Sequence, residues 1–387
     1  MESNERPGLV AIAAEWGRIG VTGFGGPPAH ILLLRRLCVD GRGWLTAAEF
    51  EDGIAACNLL PGPASTQLAI LTAWRLRGPA GALVGGVAFI APGLVLILAL
   101  AALFLAAEPP RWVLGAAAGA GAAVPAVAVQ AAVALAPGGF TRMGPGRAAR
   151  ARWAGYALAG AAAAVLTGPW LVLVLLAAGL AEVAVRTPGR LAVLPVPVPL
   201  RPLAAALPAL GGLGAVAWVA FKVGALSYGG GFVIIPLMRD DAVHRYHWMT
   251  DGQFLNAVAL GQVTPGPVVH TVAAVGYAAA GTVGGLLAAA VAFAPSFLFV
   301  LVGGAHFDRL RADRRVQDFL TGAGPAVVGA IAGSALPLAS SLGAGWQWAV
   351  LAGALLWLLA ARRGVVAALL GAGAAGVVAV AAGLPLV

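Results

Sequence analysis

The sequence predicts an all-α polytopic membrane protein made of two homologous halves. The first indication is composition: hydrophobic residues make up 60% of the chain, charged residues 10%, and the mean hydropathy is +0.91. Soluble domains carry about 25% charged residues, so this composition excludes a soluble globular protein. The second is a series of apolar spans, of which each one of about 20 residues is long enough to cross a hydrocarbon core of about 30 Å. The third is a pattern that occurs twice, with Arg18 and Lys222 at matching positions 204 residues apart.

Charge and cysteine usage exclude several other classes of protein. The formal net charge is +9, and almost all of it comes from arginines at the ends of apolar spans. That distribution is typical of loop anchoring at a membrane, whereas a nucleic-acid-binding protein needs a clustered basic face. Cys38 and Cys57 form no CxxC and have no His/Cys spacing, so we expect no disulfide framework, metal or cofactor. No HExxH or GxSxG motif stands in an apolar span, which argues against an intramembrane enzyme.

The apolar spans of each half lie between charged or Gly/Pro-rich turns. In the first half they cover residues 9–23, 27–37, 50–74, 82–105, 113–136 and 153–185, the last of which is predicted to form two short helices. In the second half they cover residues 203–226, 232–238, 254–280, 281–304, 319–341, 346–361 and 365–386. A proline-rich linker, residues 191–202, separates the N-terminal membrane repeat, residues 1–190, from the C-terminal repeat, residues 203–387.

The duplication predicts one register for both halves. Pro61-Gly62-Pro63 recurs as Pro265-Gly266-Pro267 at the same offset of 204. Further matching pairs are Trp44 and Trp248, Phe50 and Phe254, Gly81 and Gly285, and Phe89 and Phe293. Chance agreement is common for Gly and Ala in this chain but rare for Trp, Phe and PGP. We therefore predict a constant register without a gap.

The arginines predict that the two halves have opposite orientations. Arg75 and Arg77 end a helix in the first half, whereas the matching corner, residues 279–281, is uncharged. One helix later the asymmetry is reversed, with a basic cluster at residues 309–315 and a nearly neutral corner at residues 108–111. The positive-inside rule then gives an inverted-topology repeat, with about five crossings and one broken-helix hairpin in each half. The arginines within residues 35–42 fall on the outer side in this scheme and count against it.

Two helix breaks in each half predict a binding site near the middle of the membrane. Glycine pairs and PGP cannot continue a helix, and backbone groups freed inside a bilayer must face protein or a water-filled cavity. A half-helix that starts after either break presents unpaired N–H groups and the positive end of its dipole, which favour an anion. The predicted site combines backbone positions in the breaks, polar side chains and two cations: Gly25, Gly26, Gly62, Gly229, Gly230, Gly266, Asn58, Ser65, Thr66, Ser227, Gln262, Thr264, Arg18 and Lys222.

Simpler structural explanations exist for several of these residues. A single break is a kink or a close-packing point, and Arg18 or Lys222 alone is a cation that reaches to the interface. Because the breaks are paired and duplicated, we favour a site for a small tetrahedral dianion; a metal cation would need a carboxylate cluster. Glu15 is either the ion-pair partner of Arg18 or a protonatable coupling group. His270 is either a proton carrier or a hydrogen-bonded packing residue.

The residues around the breaks of the second half are similar to a known family. Phe221 to Gly231 reads FxKxGxxSYGGG, Trp248 follows it, and Gly261 to Pro267 reads GQxTPGP. This order resembles the chromate ion transporter family, and the first half carries a degenerate copy of it. The resemblance covers nearly the whole chain.

The resemblance implies the two-domain form of that family, whose members are carriers in the bacterial inner membrane that export chromate at the expense of the proton gradient. We expect a secondary transporter that works by alternating access and is not an enzyme; transport of sulfate or another oxyanion, and a passive anion channel, are the alternatives. The expected partners are a chromate- or sulfate-like dianion, protons and the lipid bilayer, without nucleic acid, and a homodimer is left open. Gly23 in place of Ser227 and Leu60 in place of Thr264 predict an asymmetric site.

Overall fold

Helices are the regular elements of the protein wherever the structure describes the chain. The structure, a computed structural model, describes residues 7–57, 60, 62–106, 109–166, 171–187, 212–227, 234–303 and 313–386. No strand occurs within these ranges. The predicted all-α class is therefore confirmed, whereas the predicted linker lies outside the described residues.

The helices of the first half begin and end close to the predicted breaks. They are α1 (Leu9–Thr22), α2 (Pro27–Arg35), α3 (Ala47–Cys57), α4 (Ala64–Phe104), α5 (Arg111–Met143), α6 (Arg147–Leu166) and α7 (Leu171–Arg186). A π-helical turn, Arg36–Gly41, continues α2. Two short helices, α6 and α7, occupy the region where the sequence predicts them.

The second half repeats this order of elements. Its helices are α8 (Leu213–Leu226), α9 (Ile234–Arg239), α10 (Asp251–Val263), α11 (Thr271–Gly303), α12 (Arg314–Ser340), α13 (Gly345–Leu355) and α14 (Val365–Ala381). A π-helical turn, Asp240–Arg245, follows α9, and a 3-10 turn, Val268–His270, precedes α11. A second π-helical turn, Leu356–Ala360, continues α13.

Several of the helices are suited to cross a membrane. Within the described ranges, four segments are long and apolar enough: Ala64–Phe104, Arg111–Met143, Val268–Gly303 and Arg314–Ser340. A crossing needs about 20 apolar residues, and α8 and α14 are shorter apolar helices. The architecture is thus that of a multi-pass membrane protein, and the predicted number of crossings in each half stays a prediction.

Helix α4 contains a sharp reversal of the chain. Its turn lies at Arg77 and Gly78, where Gly78 has φ 60° and ψ −150°, a conformation available almost only to glycine. A Cβ placed on Gly85 would lie 2.5 Å from the Cβ of Ala73, so the chain after the turn runs back along the chain before it. We name the two parts α4a, residues 64–77, and α4b, residues 78–104.

The second half contains the same reversal. Gly281 has φ 61° and ψ −154°, and a Cβ placed on Gly285 would lie 2.9 Å from the Ala273 carbonyl oxygen. We name the two parts α11a, residues 268–280 including the 3-10 turn, and α11b, residues 281–303. At about 1.5 Å per residue, α4a is about 21 Å long and too short to cross about 30 Å of hydrocarbon alone. The span predicted over residues 50–74 is therefore a pair of short helices, α3 and α4a.

The register between the halves changes by one residue within this region, so the prediction of a gap-free register is wrong. The starts of α4a and α11a are 204 positions apart, but the turn glycines, Gly78 and Gly281, are 203 apart. The 3-10 turn explains the difference, because it rises about 2.0 Å per residue and makes α11a about 21 Å long with one residue fewer. Beyond the turn, equivalent residues of the two halves are therefore 203 positions apart. The predicted pairs, Gly81 with Gly285 and Phe89 with Phe293, assume 204 and are each wrong by one position.

The long segments α4b and α11b pack against each other in antiparallel directions. A Cβ placed on Gly86 would lie 2.5 Å from the ring of Phe297, and Gly285 packs closely against the side chain of Leu98. Residue numbers therefore rise along one segment as they fall along the other. Equivalent segments of the two halves thus run in opposite directions.

Close backbone approaches join the first helix of each half to its long segment. A Cβ placed on Gly20 of α1 would lie 2.6 Å from the carbonyl oxygen of Phe89, and one placed on Gly224 of α8 would lie 2.7 Å from the carbonyl carbon of Ala292. Small residues at helix contacts allow such approaches in membranes. The two contacts match in the corrected register, because Gly224 lies 204 positions after Gly20 and Ala292 lies 203 after Phe89.

The last helices of each half pack on the other half. Helices α6 and α7 pack against α12, and α13 and α14 pack against α5. Glycines make these contacts close: Gly329 of α12 faces the Ala157 backbone, and Gly115 of α5 faces the Gly376 backbone. The two halves are therefore interlocked, and α5 and α12 also contact each other.

Candidate functional site

The breaks of the two halves meet inside the protein. The amide of Gly266, in the PGP break of the second half, donates a hydrogen bond of 3.0 Å to the carbonyl of Gly23, which ends α1. In the first half, a Cβ placed on Gly62 would lie 3.4 Å from the hydroxyl of Ser296 on α11b. Each PGP break thus lies against the opposite half.

A cavity of about 730 Å³ lies where these breaks meet. Of the predicted site residues, the ones that line it are Gly25, Gly26, Gly62, Gln262, Thr264 and Gly266. One face of α5 forms the rest of the polar wall with Gln130, Thr141 and Arg142. Gly62, Gln262 and Gly266 are buried whereas Thr141 and Arg142 are exposed, so the cavity extends from the C-terminal end of α5 toward the breaks. The volume accommodates a small oxyanion together with water.

The starts of both half-helices lie at this cavity. Ala64, the first residue of α4a, and Val268, the first residue of α11a, line it. In α4a the first amide bonded within the helix turn is that of Thr66, which donates to the Pro63 carbonyl at 2.9 Å. The amides of Ala64 and Ser65 before it have no partner among the described residues, which leaves them for a ligand, and the dipole end there is positive. Two anion-attracting N-termini, one from each half, therefore face the same space.

The helix after the glycine break of the first half, α2, offers fewer free backbone amides to an anion than the sequence predicts. Pro27 and Pro28 occupy the first two positions of α2, and proline has no N–H to donate. The next two amides, those of Ala29 and His30, both donate to the Gly26 carbonyl. Only the dipole of α2 remains for an anion, so the expected amide donors at this N-terminus are not available. The corresponding break of the second half, with Gly229 and Gly230, lies outside the described residues, as does Asn58.

Both predicted cations lie away from the cavity. The Arg18 side chain is 67% exposed and pairs with Glu15 at 2.7 Å, and Arg42 pairs with the same carboxylate at 2.9 Å. Lys222 pairs with the buried carboxylate of Asp241 and lies 5.5 Å from the centre of the Trp218 ring. The predicted Glu15–Arg18 pair is thus present, but each of the two predicted cations is held in an ion pair with a carboxylate. The partner of Lys222 lies 19 residues further along the chain. The sequence did not indicate it, because ion pairs within one helix join residues that are three or four positions apart.

Behind the cavity wall, His30 connects two predicted elements. Its Nε2 lies 2.8 Å from the Gly23 carbonyl and its Nδ1 lies 3.1 Å from the Ser65 hydroxyl. Because a carbonyl can only accept, Nε2 carries the proton, and in the neutral ring Nδ1 accepts from Ser65. The Phe89 ring meets the imidazole edge-on at 5.1 Å. Ser65 is therefore already engaged by a protein partner.

A group of buried polar atoms around the breaks has no hydrogen-bond partner among the described residues. It consists of Thr66 Oγ1, Ser227 Oγ, Gln262 Nε2, Ser296 Oγ and both ring nitrogens of His270. The Ile90 carbonyl lies near the His270 ring but outside hydrogen-bond geometry. Buried polar groups are normally satisfied, so such a group marks a place for water, an ion or a proton. Ser296 is a member that the sequence did not indicate, because it lies in an unbroken apolar span.

The polar residues of α5 were also missed from the sequence. Arg142 lies six residues after the end of the apolar span predicted over residues 113–136 and is indistinguishable there from an arginine that only sets topology. Gln130 lies inside that span, and Thr141 lies five residues after its end. Their contribution to the cavity follows from the packing of α5 against the second half.

Comparison with known proteins agrees with this architecture. The sequence model of the family described as "Chromate transporter" matches residues 10–183 and again residues 214–377. The chain belongs to the chromate transporter family. The two matched regions each contain one set of breaks, and together they cover most of the chain.

Relatives of similar length are named after chromate transport. The chromate transport protein of Cupriavidus metallidurans is 33% identical over 337 residues, which cover 83% of this chain and 80% of the relative. The chromate transport protein of Pseudomonas aeruginosa is 32% identical over 345 residues, covering 84% and 80%. A probable chromate transport protein of Synechococcus elongatus is 30% identical over 329 residues, covering 83% and 82%. No solved structure matches this chromate transporter family member.

Proposed function

We propose that the protein is a secondary transporter that exports chromate across the bacterial inner membrane by alternating access. Family membership supports the substrate. The observation that carries the proposal is that Ala64 and Val268, the first residues of two half-helices from different halves, line one cavity. Paired half-helix N-termini near the centre of a membrane protein are a common way to bind an anionic substrate.

The chemistry of the cavity suits a tetrahedral dianion. The amides at the starts of α4a and α11a and the side chains of Gln262 and Thr264 supply donors to its oxygens. Among the described lining residues there is no carboxylate that would repel it, and Arg142 adds a positive charge. Chromate and sulfate share this shape and charge, so the same donors would serve either.

The orientation of the cavity favours loading from the cytoplasm. Its exposed end lies at Thr141 and Arg142, beside the arginine-rich residues 142–152, which the positive-inside rule assigns to the cytoplasm. Substrate would enter from that side, as export requires. The antiparallel packing of α4b and α11b supports the proposal that the two halves form an inverted repeat, in which a related arrangement of the halves opens the site to the other side.

We assign proton coupling to His270 rather than Glu15. His270 is buried next to the PGP break of the second half, close to the cavity wall, and its nitrogens have no partner among the described residues. Glu15 already forms ion pairs with both Arg18 and Arg42. Proton binding at His270 would add a charge next to the site, which couples its protonation to the charge of the bound anion.

Counterflow in proteoliposomes that contain the purified protein tests the proposal. We expect saturable uptake of chromate, competition by sulfate, and a change of rate when the pH gradient is reversed. Sulfate flux without chromate flux would assign the protein to the alternative oxyanion carriers. Flux that does not saturate and far exceeds carrier rates would identify a passive channel. Vesicles without protein provide the baseline for each measurement.

A further inference from the structure

We infer that Arg142 is the cation that receives the anion at the mouth of the cavity and holds it before it reaches the breaks. This inference rests on the proposed function. Arg142 lies one residue before the end of α5 and lines the exposed end of the cavity together with Thr141. Arg142 supplies to the cavity the positive charge that the sequence predicted from Arg18 and Lys222.

Arg142 forms no ion pair with any of the described residues. Arg152 and Arg186, its neighbours at this end of the protein, both bind the buried carboxylate of Glu182, at 2.9 Å and 2.6 Å. Arg186 also lies 3.7 Å from the buried carboxylate of Asp318. These two arginines and two acids balance each other. Arg142 is then the unbalanced positive charge of this group, and it faces the cavity.

The backbone that carries Arg142 is held in place by this network. The guanidinium of Arg186 donates to the Met143 carbonyl at 2.8 Å and reaches the Arg142 carbonyl at 3.5 Å. These carbonyls belong to the C-terminal turn of α5, where acceptors lack partners in the helix. On the other side, the Arg142 guanidinium packs over Gly324 of α12, where a Cβ would lie 3.6 Å away. The arginine is therefore positioned by both halves.

The duplicated position in the second half has no such charge. Helices α5 and α12 both carry two prolines 12 residues apart, Pro125 and Pro137 in α5 and Pro325 and Pro337 in α12. Four residues after the second proline, a hydroxyl donates back to the proline carbonyl in each helix, from Thr141 at 3.0 Å and from Ser341 at 2.9 Å. The counterpart of Arg142 is then Leu342, which is buried. The cation belongs to one half only, and so does the entry that it serves.

The test compares Arg142→Ala with Arg147→Ala, which removes the same charge from an exposed arginine at the start of α6 that does not line this cavity. For Arg142→Ala we expect the KM for chromate and the Kd for sulfate to rise about tenfold, with the maximal rate nearly unchanged, because a tenfold change corresponds to about 1.4 kcal/mol. Arg142→Lys should restore most of the affinity. The salt dependence of KM at low ionic strength should weaken more in Arg142→Ala than in Arg147→Ala, since it reports attraction of an anion by exposed charges and Arg142 is the one that lines the cavity.

Two outcomes would overturn the assignment: equal KM values in Arg142→Ala and Arg147→Ala, or a lysine variant no better than alanine. Gel filtration and thermal unfolding of each variant establish that it is folded. Sulfate binding to the detergent-purified protein, measured by equilibrium dialysis, separates this inference from the proposed function. If the wild type binds sulfate without transporting any oxyanion, the proposed function fails, and the Kd ratio of the variants still decides the role of Arg142.

Discussion

The half-helices α4a and α11a show how the two halves of the chain differ. Both are about 21 Å long, begin at the cavity and end at a glycine with φ near 60°, but α11a reaches this length with a 3-10 turn and one residue fewer. Their side chains differ more. Where α4a has Thr66, α11a has His270, and Leu60 before the first break corresponds to Thr264. The backbone plan is shared, whereas the chemistry is distributed unequally between the halves.

This unequal distribution suggests what each half contributes. In our assignment the second half supplies Gln262, Thr264 and the proton site, and the first half supplies the entry cation Arg142. A symmetric backbone allows two opposed arrangements of the halves, and asymmetric side chains make those arrangements chemically different. The following substitutions test the shared backbone first and the unequal chemistry afterwards.

The largest effect is expected for Gly224→Val. A Cβ at this position would lie 2.7 Å from the Ala292 carbonyl carbon, and a backbone atom cannot move aside cheaply. We expect a loss of about 3 kcal/mol or more in the free energy of unfolding, measured by denaturation in detergent. Gly353→Val on α13 is the control, because a Cβ there meets nothing within 4 Å. Gly20→Val should lower the free energy of unfolding by a similar amount. If it does not, the contacts of Gly20 and Gly224 are not equivalent.

A smaller loss of stability is expected for Lys222→Ala, and almost none for Arg18→Ala. Removing Lys222 leaves the carboxylate of Asp241, which is 2% exposed, without its partner, at a cost of about 3 kcal/mol. The Arg18 side chain is 67% exposed, and Glu15 keeps Arg42 as a second partner, so the Arg18–Glu15 pair is worth less than about 1 kcal/mol. Thermal unfolding and chromate flux are measured on both variants. A raised KM in folded Lys222→Ala would return Lys222 to the substrate site.

Gln262→Leu should separate transport from stability. The Nε2 of Gln262 has no partner among the described residues, so its loss leaves no protein group unsatisfied. We expect a KM for chromate about tenfold higher, since a hydrogen bond to a charged group contributes about 1.5–3 kcal/mol, and an unfolding temperature equal to or above that of the wild type. Gln130→Leu, which removes the amide that α5 contributes to the cavity wall, is the comparison. An unchanged KM together with lower stability would make Gln262 a packing residue.

The most selective effect is expected for His270→Thr, which installs the residue that the first half has at this position. Chromate counterflow without a pH gradient should continue at a rate within about twofold of the wild type, because a threonine is tolerated there in the first half. The response of the rate to a reversed pH gradient should disappear. A variant that still responds fully would exclude His270 as the coupling group. His30→Thr, which removes the other buried histidine of the described residues, is the matched control.

The sequence was sufficient for the fold class and for several backbone features of the site. Glycine and proline act through the backbone alone, so PGP at residues 61–63 and 265–267 indicated where helices end without knowledge of the packing. The family resemblance, carried by the residues around these breaks, also agreed with the comparisons. Gly62, Gly266, Gln262 and Thr264 all lie at the cavity, although their roles stay predictions.

The cations could not be placed from the sequence because their partners are distant in the chain. Asp241, in the π-helical turn after α9, reaches Lys222 only because α9 packs against α8. Arg142 reaches the cavity only because α5 packs on the second half. The one-residue change of register was also hidden, since the choice between an α-turn and a 3-10 turn at Val268 is not readable from these residues.

The interlocked ends of the two halves have a consequence for synthesis of the protein. Helix α5 packs on α14, which ends at Ala381, so its partner surface does not exist until more than 200 further residues have been made. At a synthesis rate of about 5–20 residues per second, the glycine-rich face of α5 has no α14 to pack against for about 10–50 s. The first half therefore cannot complete its packing on its own. The packing of α5 is complete only after α14 has inserted.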